Sequence, residues 1–280
     1  MKSLVRNYRF SFICFLLLSF FTGLSLSAET PKRIISLAPS LTKNLYLLEA
    51  QDLLVGCTKY CRLQSETDAQ VIASAIQVNY EKAILLKADL IITTDLTKTK
   101  TIDTFKKLGI EVLVFKNPKN FNEICEQFIE LGAKIGKTDQ AKAIITQARE
   151  RVSSLTASIP IDTSRQKLFM QIGANPLFTV VPGMFMNDLI QLSACTNLAS
   201  DLRMGSINLE SVLLRDPEVI IVVLMGSMGM EEKMKWNKFT NLTAVKKQQI
   251  YTLGADNACS PTPLSFVDAL EELIGLVYSN

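Results

Sequence analysis

The feature that most constrains the fold is a stretch of fifteen residues that occurs twice in the chain. "VNYEKAILLKADLII" covers residues 78–92 and "INLESVLLRDPEVII" covers residues 207–221, and the two copies align without a gap at an offset of 129 positions. The aligned pairs include Asn79 with Asn208, Glu81 with Glu210, Leu85 with Leu214, and Asp89 with Glu218. Each copy predicts a helix that leads into a buried strand, so we expect the chain to build the same unit in two places.

Short apolar runs alternate with helical patterns along the rest of the chain. The runs "RIISLAP", "LLVGCT", "DLIITTD" and "EVLVF" predict buried strands, while "EKAILLKAD", "TIDTFKKLG" and "NEICEQFIELGAKIG" space apolar residues three and four apart, as helices do. The second half shows the same alternation of strand and helix patterns from "KLFMQIG" to "SFVDALEELIGLVY". Alternating strands and helices predict parallel sheets with right-handed crossovers. The predicted fold class is therefore α/β, with two doubly wound α/β lobes that each have a parallel central sheet.

One long helix is predicted between the lobes. Residues 138–158, "TDQAKAIITQARERVSSLTAS", contain neither glycine nor proline and place their apolar residues on one face. A helix of this length spans about 30 Å. The predicted division is an N-terminal lobe over 29–137, a connecting helix over 138–160 and a C-terminal lobe over 161–280. Because a helix is stiffer than a Gly/Ser linker, we expect only modest changes in the angle between the lobes.

The first 28 residues have the pattern of a secretory signal peptide. Lys2, Arg6 and Arg9 precede an apolar run that ends in small residues. The alternative interpretation is a membrane anchor, but the run is short for a membrane span. The early Cys14 follows residues that do not favour a lipid-bearing cysteine. Removal of the leader leaves 27 basic and 27 acidic residues. This neutral balance, without a basic block, predicts no nucleic-acid partner.

The repeated polar residues have a structural interpretation. Asn79 and Asn208 are good helix caps, and Glu81 and Glu210 fall in the first turn, where a carboxylate interacts favourably with the helix dipole. This role accounts for stability. It does not explain why the same residues recur at matching places in both lobes.

The ordered motifs resemble a known family across essentially the whole chain after the leader. "RIISLAPSLTKNLYLLEAQDLLVGCTKYC", "VNYEKAILLKADLIITT", "LFMQIGANPLFTV", "FMNDLIQLSACTNLASD" and "INLESVLLRDPEVIIV" follow one another as in the periplasmic substrate-binding proteins of ABC importers for cobalamin and iron complexes. The resemblance implies a non-enzymatic periplasmic monomer without a cofactor of its own. It also implies that Glu81 and Glu210 dock basic residues on the two subunits of an ABC permease, which works with an ATPase. Lys43 stands where many relatives have glutamate.

A ligand site is expected between the lobes, where loops follow the carboxyl ends of the strands. The cargo implied by the resemblance is a metal chelate of the cobalamin or ferric siderophore type. Arg62 and Arg203 are the candidate partners of an anionic siderophore. The candidate ligand-binding residues are Pro39, Ser40, Thr42, Tyr60, Cys61, Thr94, Asn175, Phe178, Met225, Met228, Cys259 and Ser260.

The chain contains no histidine. Zinc or manganese capture by imidazole, a proximal histidine on haem, and Ser-His-Asp or Cys-His catalysis are all excluded by this absence. Cobalamin would therefore be held by its shape and peripheral amides.

Five cysteines remain after removal of the leader. Cys125 and Cys195 have the pattern of buried, inert thiols. In an oxidising compartment a disulfide is the default, with Cys57 and Cys61 as the expected pair. Alternatively, Cys61 and Cys259 face each other across the cleft and hold a soft metal centre or the metal of a chelate. Two functional classes thus stay open: a delivery protein for an ABC importer, and a cysteine-based metal or metallocluster carrier or redox protein. A binding module that serves a sensor is a weaker third possibility.

Overall fold

The structure is a computed structural model that describes residues 30–61, 67–74, 77–160, 164–223 and 228–278. The signal peptide predicted for residues 1–28 lies outside this part of the chain. Within these ranges no helix combines the length and the apolar character that crossing a membrane requires.

The N-terminal lobe is built on a five-stranded parallel sheet with the strand order β3-β2-β1-β4-β5. Ile34, Ile35, Ile91 and Ile92 in its central strands are fully buried on both faces, as expected for parallel strands covered by helices. Strand β3 has no strong apolar pattern and was absent from the predicted strands. The elements are β1 (Ile34–Ser36), α1 (Pro39–Leu47), β2 (Leu54–Thr58), β3 (Gln70–Ala73), α2 (Tyr80–Leu85), β4 (Leu90–Thr94), α3 (Thr99–Lys107) and β5 (Glu111–Phe115).

Two consecutive helices, α4 (Phe121–Lys134) and α5 (Thr138–Ala157), leave this sheet. Helix α4 begins at Asn120, whose side chain accepts a hydrogen bond from the Glu123 N–H at 2.8 Å. It ends before Gly136, which has a φ of 74°, a conformation that glycine adopts at little cost. Helix α5 confirms the predicted long connecting helix and ends within one residue of the predicted 138–158 stretch.

The C-terminal lobe has a second sheet with the strand order β10-β9-β6-β7, and a short strand β8 pairs with β6. The pairs of β6 with β9 and of β9 with β10 are parallel, as predicted. Strand β7 differs because it runs antiparallel to β6 in a tight hairpin. The elements are β6 (Lys167–Ala174), β7 (Leu177–Thr179), α6 (Met186–Leu192), β8 (Thr196–Asn197), α7 (Leu209–Arg215), β9 (Val219–Val222), α8 (Met228–Trp236), α9 (Thr243–Lys246), β10 (Ile250–Thr252), α10 (Ala255–Ala258) and α11 (Pro263–Tyr278).

Helix α11 joins the two lobes on the side of the connecting helix. The ring of Phe266 stacks on Phe121 at the start of α4, with ring centroids 4.7 Å apart. Arg151 of α5 forms ion pairs with Asp268 at 3.0 Å and Glu271 at 2.7 Å. One continuous apolar cluster contains residues of both sheets together with α4, α5 and α11. The two lobes therefore share a core along this side.

Candidate functional site

The two repeat units, residues 78–92 and 207–221, fold into the same local structure. Asn79 accepts a hydrogen bond from the Lys82 N–H and Asn208 accepts one from the Ser211 N–H, both at 2.8 Å. Both predicted helix caps are thus present. The capped helices α2 and α7 carry Glu81 and Glu210 in their first turns, and both glutamates are exposed.

The ends of the two repeat units also match. Lys87 and Asp216, which are again 129 positions apart, both have positive φ angles, of 48° and 45°. Two residues further on, one aligned acidic pair anchors a neighbouring strand. Asp89 accepts hydrogen bonds from the backbone N–H groups that precede β1, at 2.8 and 3.1 Å, and Glu218 accepts one from the first N–H of β6 at 3.1 Å. The aligned acidic residues therefore fix each unit to the central strand of its sheet.

A cavity of about 500 Å³ lies at the carboxyl ends of the N-terminal strands. Phe185, Cys259, Ser260 and Pro261 of the C-terminal lobe complete its lining. Its position is the one predicted for a ligand in an open α/β sheet. Among the described residues that line it, Lys98 is the one charged side chain. The cavity can therefore accept a mostly neutral, polar and apolar ligand surface.

Several predicted ligand-binding residues line this cavity and others do not. Those that line it are Pro39, Ser40, Tyr60, Thr94, Cys259 and Ser260. Sequence reasoning did not single out Lys98, Asn117, Gln127 or Phe185, which line it too, because nothing in their local pattern distinguishes them from surface or core residues.

The remaining predicted residues are placed elsewhere. Thr42 is only 1% exposed, and its hydroxyl donates to Ser36 Oγ at 2.8 Å, so it supports the wall of the cavity from behind. Asn175 and Phe178 belong to the β6–β7 hairpin, outside the lining of the cavity. Met225 and Arg62 lie outside the described residues, and Met228 begins α8 without a described side chain.

The expected disulfide between Cys57 and Cys61 is wrong for this structure, in which both residues are free thiols. Cys61 Sγ instead lies 3.1 Å from Thr42 Oγ1 and 3.3 Å from Thr58 Oγ1. Hydrogen bonds from Cys57, Thr42 and Thr58 stabilise the thiolate and lower the pKa of Cys61, although burial opposes them. The same contact with Cys61 raises the pKa of Cys57. The pair therefore holds one acidic thiol directly behind the cavity wall.

The other cysteines lack a comparable environment. Burial raises the pKa of Cys125 to about 11 and also raises that of Cys195, as expected for inert core thiols. Over the described ranges, no group of three or more cysteine, aspartate or glutamate side chains is placed to hold a metal ion. The alternative of a cysteine-based metal or metallocluster carrier thus finds no support.

A polar contact of Lys43 links the two lobes beside the cavity. Lys43 Nζ, on α1, donates to the carbonyl oxygen of Asp256 in α10 at 2.6 Å. Asp256 lies three residues before the cavity residue Cys259. Lys43, which stands where many proteins of the resembled family have glutamate, therefore links the two lobes at the edge of the cavity.

Comparison with known proteins agrees with this architecture. The model of the periplasmic binding protein family matches residues 34–257. An uncharacterised ABC transporter substrate-binding lipoprotein of Bacillus subtilis (strain 168) is 26% identical over 89% of this chain and 81% of its own length. A vitamin B12-binding protein of Yersinia pestis (strain Pestoides F) is 28% identical over 71% of this chain and 72% of its own length.

Solved structures show the same two-lobed fold. A possible iron-binding periplasmic solute-binding protein from Staphylococcus epidermidis ATCC 12228 superposes with a TM-score of 0.79 at 26% identity, covering 89% of this chain and all of that one. The periplasmic vitamin B12-binding protein of Vibrio cholerae superposes with a TM-score of 0.76 at 24% identity, covering 88% of this chain and 96% of that one. The family model spans most of the chain, including both repeat units and most of the residues that line the cavity. This chain therefore belongs to the periplasmic binding protein family.

Proposed function

We propose that this protein is the substrate-binding component of an ABC importer, and that it captures a metal chelate and delivers it to a membrane permease. In this proposal residues 1–28 direct export and the mature protein works in the periplasm. The observation that carries the proposal is the cavity at the carboxyl ends of the strands, which takes lining residues from both lobes. Membership of a family of solute-binding proteins supports the same function.

The composition of the cavity wall favours a chelate whose outer surface is largely neutral. Small and polar side chains such as Ser40, Thr94 and Ser260 can hydrogen-bond to amide groups, and Leu37 and Phe185 offer apolar surface. A corrin with its peripheral amides fits this chemistry. Tyr60 adds a second possibility, because its ring is half exposed at the cavity and a phenolic oxygen is an axial ligand that haem iron accepts.

A thermal-shift screen with cyanocobalamin, haemin and ferrichrome tests the ligand class. A ligand at 100 times its dissociation constant stabilises the folded state by about 2.7 kcal/mol. For a chain of this size we expect the melting temperature to rise by about 5–11 °C. Tyr60→Phe should leave a cobalamin shift unchanged and reduce a haemin shift. If none of the three chelates shifts the melting temperature, a chelate cargo is contradicted.

Docking is proposed to use Glu81 and Glu210. Both carboxylates are exposed, both stand in the first turn of a helix with an identical cap, and they occupy equivalent positions in the two repeat units. A permease with two-fold symmetry presents the same surface twice, so a partner with two equal basic sites matches this duplication. Exposed ion pairs contribute only about 1 kcal/mol each, but two of them at one interface can fix its register.

The double substitution Glu81→Ala with Glu210→Ala tests the docking sites. We expect ligand affinity to stay within about twofold of wild type, because neither residue lines the cavity at the strand ends, while uptake into cells is lost. The control is Glu126→Ala with Glu272→Ala, which removes two exposed glutamates outside the repeat units. Equal loss of ligand binding in the Glu81/Glu210 variant would contradict a docking role.

A further inference from the structure

The two most exposed large apolar side chains of the described residues occupy the same position of the two repeat units. Leu85 is 80% exposed and Leu214 is 87% exposed. They align at the offset of 129 positions that also relates the caps and the glutamates. Two leucines that are exposed independently in a chain of this length would have no reason to coincide in this way.

The helices themselves do not need these leucines for packing. The inward face of α2 is set by Ala83 and that of α7 by Val212, an aligned pair that is fully buried. Leu85 and Leu214 follow two positions later, which is about 200° around a helix of 3.6 residues per turn. The leucines therefore point away from the core because of the same helical register that buries Ala83 and Val212.

Each leucine shares a face of its helix with a proposed docking glutamate. Glu81 precedes Leu85 by four residues and Glu210 precedes Leu214 by four residues, and residues four apart on a helix are neighbours. We call these two pairs the Glu–Leu faces.

We propose that Leu85 and Leu214 are the apolar anchors of the contact with the permease, each inserted beside the ion pair of the neighbouring glutamate. This inference rests on the proposed function and specifies its partner surface: two equivalent sites, each with a basic group next to an apolar pocket. An apolar side chain that becomes buried supplies affinity, while a charge at the rim supplies orientation. The duplication selects a two-fold symmetric partner, since an asymmetric one would need only one Glu–Leu face.

Site-specific photo-crosslinking identifies the partner. A benzoylphenylalanine is placed at position 85, at position 214, or at the control position 204, where an exposed methionine lies outside both repeat units. The full-length protein is exported in its native host and irradiated. We expect positions 85 and 214 to form crosslinks to the transmembrane subunit of one ABC importer, identified by mass spectrometry, and position 204 to form none. Crosslinks from position 85 to a second copy of this chain would overturn the inference.

Binding measurements then separate the leucines from the glutamates. With that permease in lipid nanodiscs, Leu85→Gln and Leu214→Gln should each weaken binding about tenfold, and the double variant about a hundredfold. Tenfold corresponds to about 1.4 kcal/mol, which is close to the lower end of the range of about 1.5–3 kcal/mol for fully burying a leucine side chain. Met204→Gln should stay within about twofold. All three residues are exposed, so we expect melting temperatures close to that of wild type.

The outcomes distinguish this inference from the function on which it rests. If Glu81→Ala with Glu210→Ala weakens binding while the double leucine variant binds like wild type, the apolar anchors are refuted and the docking sites stand. If the glutamate variant also binds like wild type, the proposed docking sites fall as well. Loss of binding in the double leucine variant with an unchanged melting temperature supports the inference.

Discussion

Replacing Gln171 by leucine tests how a buried polar network holds the C-terminal lobe together. Gln171 is fully buried in β6 and makes two side-chain hydrogen bonds to α8: its Oε1 accepts from Trp236 Nε1 at 2.7 Å, and its Nε2 donates to Glu232 Oε2 at 2.9 Å. Glu232 also pairs with Lys235. This network is a polar link between strand β6 and helix α8.

The expected cost follows from these contacts. Gln171→Leu leaves the buried Trp236 N–H without its acceptor, at about 1–3 kcal/mol, and removes one charge-assisted bond from Glu232, at about 1.5–3 kcal/mol. The added apolar burial of leucine recovers about 1 kcal/mol. We expect a net loss of about 3 kcal/mol in the free energy of unfolding, and a decrease of about 6–12 °C in the melting temperature.

Urea unfolding followed by fluorescence measures this loss, since Trp236 is the single tryptophan of the chain. Gln191→Leu is the matched control, because Gln191 is exposed on α6 of the same lobe and its replacement should cost less than about 0.5 kcal/mol. A double-mutant cycle followed by circular dichroism tests the contact itself. The loss in the free energy of unfolding caused by Trp236→Phe should be at least about 1 kcal/mol smaller in the Gln171→Leu background than in wild type. Additive costs, or a Gln171→Leu protein as stable as the control, would refute the reasoning.

Three further predictions concern the thiol pair, an acidic strand anchor and a glycine. Cys61 should react with iodoacetamide at a pH midpoint below that of an ordinary thiol, as read by mass spectrometry. Cys57→Ala should raise this midpoint, because the hydrogen bond from Cys57 is the largest contribution to the lowered pKa of Cys61. An unchanged midpoint argues against the contact between Cys57 and Cys61. The pKa of Glu218 is lowered, chiefly because its carboxylate accepts a hydrogen bond from the Lys167 N–H. The stability that Glu218 contributes is therefore present above the unfolded pKa of about 4.3 and is lost as the pH falls through the folded pKa. Glu218→Gln should therefore lower the urea midpoint at pH 7 by the equivalent of about 1 kcal/mol and have little effect at pH 3. Gly205→Ala should destabilise the fold by at least about 2 kcal/mol, because the added Cβ would overlap the ring of Phe178; a melting temperature equal to wild type would contradict this packing.

The regular elements could be predicted from the sequence because their signals are local. The caps at Asn79 and Asn208 depend on a side chain and an N–H three residues away, and both are present at the same 2.8 Å distance. The connecting helix follows from an uninterrupted apolar stripe without glycine or proline. The repeat is also a property of the sequence alone, and it already aligned the two leucines that the structure shows to be exposed.

What the sequence could not specify depends on which residues become neighbours. Strand β3 and the antiparallel strand β7 are short and carry no distinctive period, so their pairing is decided by the sheet edges that they cover. Thr42 follows the cavity residue Ser40 by two positions but faces the interior, because a helix turns it toward Ser36 and Cys61.

The sequence by itself therefore determined the α/β class, the two repeat units, the helix caps and the long connecting helix. All of these arise from contacts within a few residues, where period and propensity are sufficient. Only the tertiary structure decided which polar residues line the cavity, that Cys57 and Cys61 remain thiols, and that Lys43 reaches Asp256 across the lobes. Those features join residues that are far apart in the chain, or depend on the exact direction of a side chain, and packing of the whole molecule sets both.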